Sequence, residues 1–235
     1  MNCNFTYNHY REILKVALAA GFRITNFRDI AKIKSEKVII LRHDVDYSPK
    51  RALEIAKIEA KLGIKSTYFV RVHGEYYHPF DRINFPYFKT IKKMGHEIGL
   101  HTEARNLSKL YETDMISLFK LEKKMLEEIF KVKVESAAEH ADLGRSANYW
   151  KKHLFTQIDK KEVGIKRFPQ EFQDFHYFSD SLGKWKQYCI CQNLSQYDKI
   201  QLLIHPDWWG EGARKEIQQL IKNNPNLFSK HKYFN

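Results

Sequence analysis

The chain has 235 residues, 43% hydrophobic and 29% charged, which suits a single globular core and excludes general disorder. Its 40 Lys and Arg against 28 Asp and Glu give a net charge of +12, but the lysines are dispersed, as in Lys120-Leu121-Glu122-Lys123-Lys124, and with no recognition motif beside them no specific nucleic-acid partner is expected. No stretch approaches the roughly 18 consecutive apolar residues of a membrane span, and the short apolar segment 16–20, preceded by charged residues, is no signal peptide; a cytoplasmic protein is expected, with contact at a membrane face left open.

Residues 7–20 have the pattern of an amphipathic helix, closed by Gly21. They belong to a helical prelude, 1–36, packed on a main domain spanning 37–235, the whole forming one structural unit. The run Val38-Ile39-Ile40-Leu41 reads as a strand buried on both faces. It ends in Arg42-His43-Asp44-Val45-Asp46, so two carboxylates stand two residues apart at a strand end, on one side, and repel unless a cation or a proton relieves them, a divalent metal being the simplest relief. Ser48-Pro49 then caps a helix that stops at Gly63, and Ser66 to Val70 is the next strand. Strand, helix, strand is the unit of a parallel sheet.

The rhythm continues with a short helix over 86–94, a strand over 96–100, and a longer helix with Leu118, Leu121, Met125 and Ile129 as its core stripe. A β-rich segment follows at 132–134. Between 150 and 191 no clear period emerges. The strand at Ile200 restores the alternation, 211–221 is the last helix, and Asn223-Asn224-Pro225 ends it. Cys3, Cys189 and Cys191 are too few and too badly spaced for a disulfide framework or a four-ligand zinc site, which fits a reducing compartment.

Two further segments share the character of the first motif. Gly95-His96-Glu97-Ile98-Gly99-Leu100-His101-Thr102-Glu103 passes histidines and carboxylates through an apolar strand, and Leu202-Leu203-Ile204 ends in His205-Pro206-Asp207-Trp208-Trp209. In a parallel α/β sheet such strand ends converge on one face. The three segments together resemble the motifs of the polysaccharide deacetylase family, the NodB-homology carbohydrate esterases, in a branch with His-Asp-Val-Asp and His-Pro-Asp-Trp-Trp variants.

The resemblance implies an α/β fold, a distorted (β/α) barrel of about seven strands. It also implies metal-dependent de-N-acetylation of an N-acetylated sugar in bacterial surface-polysaccharide biosynthesis, the sugar being nucleotide-linked, lipid-linked or oligomeric. The implied cofactor is one divalent ion, zinc before others, held by Asp46 and His101. Asp44 is the implied base and His205 the implied acid. Where the family has another histidine four residues after the first, this chain has Arg105, which has no lone pair for a metal. Glu103 is favoured as third ligand, with His140 as its rival. Trp208, Trp209 and Arg71 are candidate substrate contacts, and His43, His96 and Arg42 are expected to orient the site from behind. Two alternatives remain: a silent carbohydrate-binding or scaffold protein on the same fold, or a related metal-assisted amidohydrolase acting by deformylation or cyclic amide opening.

Overall fold

In the computed structural model, residues 3–140, 155, 157–186 and 188–223 are described. The apolar run at Val38 becomes β2 (Val38–Val45), buried along its whole length, and the sheet is built outward from it. The other strands are β1 (Arg23–Thr25), β3 (Thr67–Val70), β4 (Glu97–Thr102), β5 (Ala137–Glu139), β6 (His176–Ser179) and β7 (Lys199–Ile204). Their order is β5-β4-β3-β2-β7-β6, every pairing is parallel, and β1 lies beside the first half of β2. The end strands β5 and β6 are not paired with each other among the described residues, so the curled sheet is an incompletely closed, distorted (β/α) barrel.

The helices are α1 (Tyr7–Ala19), α2 (Pro49–Lys61), α3 (Phe85–Lys93), α4 (Ala104–Leu107), α5 (Met115–Phe130), α6 (Lys160–Val163) and α7 (Ala213–Asn223). Thr6 caps α1, and Ser48 caps α2 by accepting from the Arg51 N–H. The segment 1–36 supplies both α1, whose Tyr10, Ile13, Leu14 and Ala17 enter the main core, and a strand of the sheet.

Alternation along β2 separates two cores. Ile39, Leu41 and Val45 face the helices, whereas Ile40 points inside the curl, against Phe27, Phe69 and Ala138. Gly99 sits in this inner layer because a Cβ there would lie 2.6 Å from the Phe69 ring. Below it, Glu97 accepts from Thr67 Oγ1 (2.6 Å), Ser136 Oγ (2.8 Å) and the Arg28 N–H (2.9 Å), which fills the inner space with a satisfied polar layer.

Some elements differ from the sequence reading. The buried stripe of α5 is Leu118, Phe119, Glu122, Leu126 and Phe130, while Leu121 and Ile129 are exposed. The strand expected at 132–134 forms later, as β5. The segment without a period contains β6, which its polar and aromatic residues conceal. Asp142, Asn224 and Pro225 lie outside the described residues.

Candidate metal and catalytic site

The carboxyl ends of β2, β4, β5 and β7 bring Asp44 and Asp46, His101, His140 and His205 into one cluster. His101 Nε2 lies 3.4 Å from Asp46 Oδ1 and 3.6 Å from Asp44 Oδ2. His140 Nε2 lies 3.8 Å from Asp46 Oδ1, and His205 Nε2 lies 3.9 Å from Asp46 Oδ2. One donor atom each from Asp46, His101 and His140 falls within 4.8 Å of the others.

Each imidazole is oriented from behind. His101 Nδ1 faces the Ala138 carbonyl at 3.1 Å and His140 Nδ1 faces Glu103 Oε1 at 2.9 Å, so both ring N–H groups are spent there and both Nε2 lone pairs face Asp46. Asp46 Oδ1 is buried with no hydrogen-bond partner. Two imidazole nitrogens and an unbonded carboxylate oxygen form a donor set that fits a divalent cation such as zinc. Burial alone would raise the Asp46 pKa, but the neighbouring His101, His140 and His205 hold it well below the usual carboxylate range.

Glu103, the favoured third ligand from sequence, is engaged elsewhere through one of its oxygens. Its Oε1 accepts from Arg71 Nη2 at 2.7 Å as well as from His140, and these partners overcome burial to lower its pKa to about 2. The geometry thus puts His140, the rival, beside Asp46. Arg105 turns away and pairs with Glu139 at 3.0 Å, while the histidine nitrogen that does lie beside Asp46 comes from the end of β5.

Asp44 is gripped by Arg42 through two bonds, Nε to Oδ1 at 3.0 Å and Nη2 to Oδ2 at 2.5 Å. Burial opposes ionisation of Asp44, and the Arg42 charge, joined by those of His101 and His205, outweighs it and lowers its pKa. Arg42 is also stacked over Phe69, 5.0 Å from the ring centre. On the far side of the cluster, His205 is held by Asp180. Burial would lower the His205 pKa, but the Asp180 hydrogen bond and charge, with those of Asp46 and Asp44, raise it to about 9.

Other expectations need correction. Trp209 is fully buried, donates from Nε1 to Asp180 Oδ2 at 2.7 Å, and packs on Phe5 and Tyr10, so it supports the site and offers no sugar-stacking face. Trp208 is half-buried, its ring lying against Gly183. Arg71 is 1% exposed and engages the Asp46 carbonyl, Glu75 and Glu103, so it is buried beneath the site and not displayed to solvent.

His43 and His96 point to the opposite side of the sheet, because residues one apart on a strand face oppositely. There His43 Nε2 donates to Glu59 Oε1 (2.6 Å), and His96 Nδ1 accepts from the Ser66 N–H (3.2 Å) while its Nε2 faces the Ala56 carbonyl. Two residues escaped the sequence reading. Asp180 follows the strand that had no visible period. Asp207 was visible in the last motif but gave no sign of its role, which is to accept the backbone N–H groups of Asp46, Tyr47 and Ser48 at 3.1, 3.1 and 2.5 Å.

No family model matches the chain, and no curated protein matches it by sequence. Several solved structures are similar in fold. A Streptococcus pyogenes deacetylase in complex with acetate matches over 90% of this chain and 85% of its own, at 11% identity and a TM-score of 0.48. The polysaccharide deacetylase Bc1974 from Bacillus cereus matches over 85% and 94%, at 14% identity and a TM-score of 0.46. A CE4-family pseudoenzyme from Bacillus anthracis matches over 83% of this chain; the chain spans 62% of that protein, at 11% identity and a TM-score of 0.44.

Proposed function

We propose that this chain is a metal-dependent deacetylase that removes the acetyl group from an N-acetylated sugar, of the kind used in bacterial surface-polysaccharide biosynthesis. The observation that carries the reading is the convergence of Asp46 Oδ1, His101 Nε2 and His140 Nε2, with Asp44 and His205 on either side. The sugar itself rests on the resemblance of the three motifs.

Asp46, His101 and His140 would hold the ion, zinc in the first instance. When bound, such an ion lowers the pKa of a water and steadies the charge that develops on an amide carbonyl oxygen. Asp44 takes the proton from the attacking water, and the Arg42 clamp fixes which carboxylate face it offers. His205 gives a proton from Nε2 to the departing nitrogen, which is otherwise too basic to leave. Asp180 holds His205 for that task from its other nitrogen. The products are acetate and a free amino sugar.

The test is metal analysis of the purified chain combined with acetate release from nucleotide-linked, lipid-linked and oligomeric N-acetylhexosamines. Chelator-sensitive acetate release from one of these classes supports the proposal. A metal-replete protein that binds such sugars and leaves them intact overturns it in favour of a silent carbohydrate-binding protein.

A further inference from the structure

Folding brings Cys3, near one end of the chain, against Cys189 and Cys191 near the other. Cys191 Sγ is 3.2 Å from Cys189 Sγ and 3.5 Å from Cys3 Sγ, and His9 Nε2 is 3.3 Å from Cys189 Sγ. One donor from each of Cys3, His9, Cys189 and Cys191 lies within 4.8 Å of all the others. The spacing argument counted sulfurs alone. The fourth donor is a histidine on the first turn of α1.

We propose that Cys3, His9, Cys189 and Cys191 form a structural zinc site, separate from the cluster around Asp46 and independent of the function proposed above. Three thiolates and one imidazole are a donor set of closed, four-coordinate zinc sites, and soft sulfur ligands select such an ion over magnesium or calcium. A tetrahedral zinc with bonds near 2.3 Å to sulfur keeps its donors roughly 3.5–3.8 Å apart, so the three short separations need widen by only a few tenths of an ångström. With four protein donors no position stays open for water, which makes the site structural.

The surroundings suit an ion. His9 is 2% exposed, and its Nδ1 makes no hydrogen bond but has Glu12 Oε2 at 3.6 Å, a carboxylate placed to favour the tautomer whose Nε2 lone pair faces the sulfurs. Gln192 Nε2 donates to Cys3 Sγ at 3.3 Å, which offsets thiolate charge. On binding, each thiol gives its proton to solvent and its sulfur forms a bond to the metal. The site would tie the N-terminal segment and α1 to the turn before β7. The His9 ring stacks on Trp209, 6.4 Å between centres, and Trp209 bonds Asp180, so the tie also steadies the support of His205.

The test is cobalt substitution of the full chain, read by absorption, with zinc content measured in parallel. Thiolate-to-cobalt charge-transfer absorption is expected in the parent protein. It should persist in Asp46→Asn, since the other cluster has no sulfur, and vanish in Cys189→Ser and Cys191→Ser. If the serine variants do not fold, titration of the parent protein with a mercurial thiol reagent decides, with one equivalent of zinc expected to leave as the thiols react. A disulfide in protein purified under reduction, absence of the charge-transfer band, or zinc that stays bound while all three thiols react each overturns the site.

Discussion

His205 and Asp180 are joined twice: the Asp180 carboxylate accepts from the His205 backbone N–H at 2.9 Å and faces its Nδ1 at 2.7 Å. A carboxylate oxygen accepts, so Nδ1 carries a proton; with its pKa raised to about 9 the ring also carries one on Nε2, which is directed at Asp46, 3.9 Å away. The strand ends of β6 and β7 thereby fix one imidazole in angle and depth.

His205→Ala should lower hydrolysis of an N-acetyl sugar by roughly 10²–10⁴-fold, the range for loss of a general acid. An ester with a good leaving group should suffer far less. Asp180→Asn keeps an acceptor but removes the charge, and should cost roughly 10–100-fold on the amide. Steady-state kinetics on both substrates check this, and equal losses on amide and ester would remove His205 from the acid role.

Metal affinity separates His140 from Glu103. His140→Ala, like Asp46→Asn and His101→Ala, should weaken binding beyond the roughly 10–100-fold expected of an outer partner, whereas Glu103→Gln should stay within it. Asp44→Asn should keep its metal and lose turnover. Competition with a chromogenic chelator measures all five. If Glu103→Gln loses as much as His140→Ala, the carboxylate is the third ligand after all.

Acid stability should depend on Glu59. This buried carboxylate accepts from Tyr10, His43, Ser66 and Tyr68, and His43 above all overcomes burial to lower its pKa to about 2. A depressed folded-state value contributes stability that is present above the unfolded pKa, near 4.5, and lost as the pH falls through about 2. The shift corresponds to about 3 kcal/mol. Glu59→Gln should therefore destabilise the protein by about 2–4 kcal/mol at pH 7 and lose less on acidification to pH 3. Urea denaturation at the two pH values reads this, and parallel curves for parent and variant would contradict it.

Gly99→Ala should cost about 1–3 kcal/mol through overpacking, because its Cβ meets the rigid Phe69 ring at 2.6 Å. Adding Phe69→Leu should recover part of the loss in thermal unfolding. No recovery would place the strain elsewhere.

The sequence by itself determined the βαβ rhythm and four of the site residues. Apolar runs that end in charge are legible locally, and a parallel sheet must collect such ends on one face; hence Asp44, Asp46, His101 and His205 were readable, and Asp46 and His101 do lie together. Only tertiary structure put His140 beside Asp46 and His101. That placement depends on Glu103, whose Oε1 is held by Arg71 from another strand end and in turn holds His140 Nδ1, leaving His140 Nε2 toward Asp46. Asp180 and the meeting of His9 with three cysteines were hidden for the same reason. Periodicity reports which face of an element is buried, whereas a donor's partners are set by contacts across distances in the chain that no local pattern encodes.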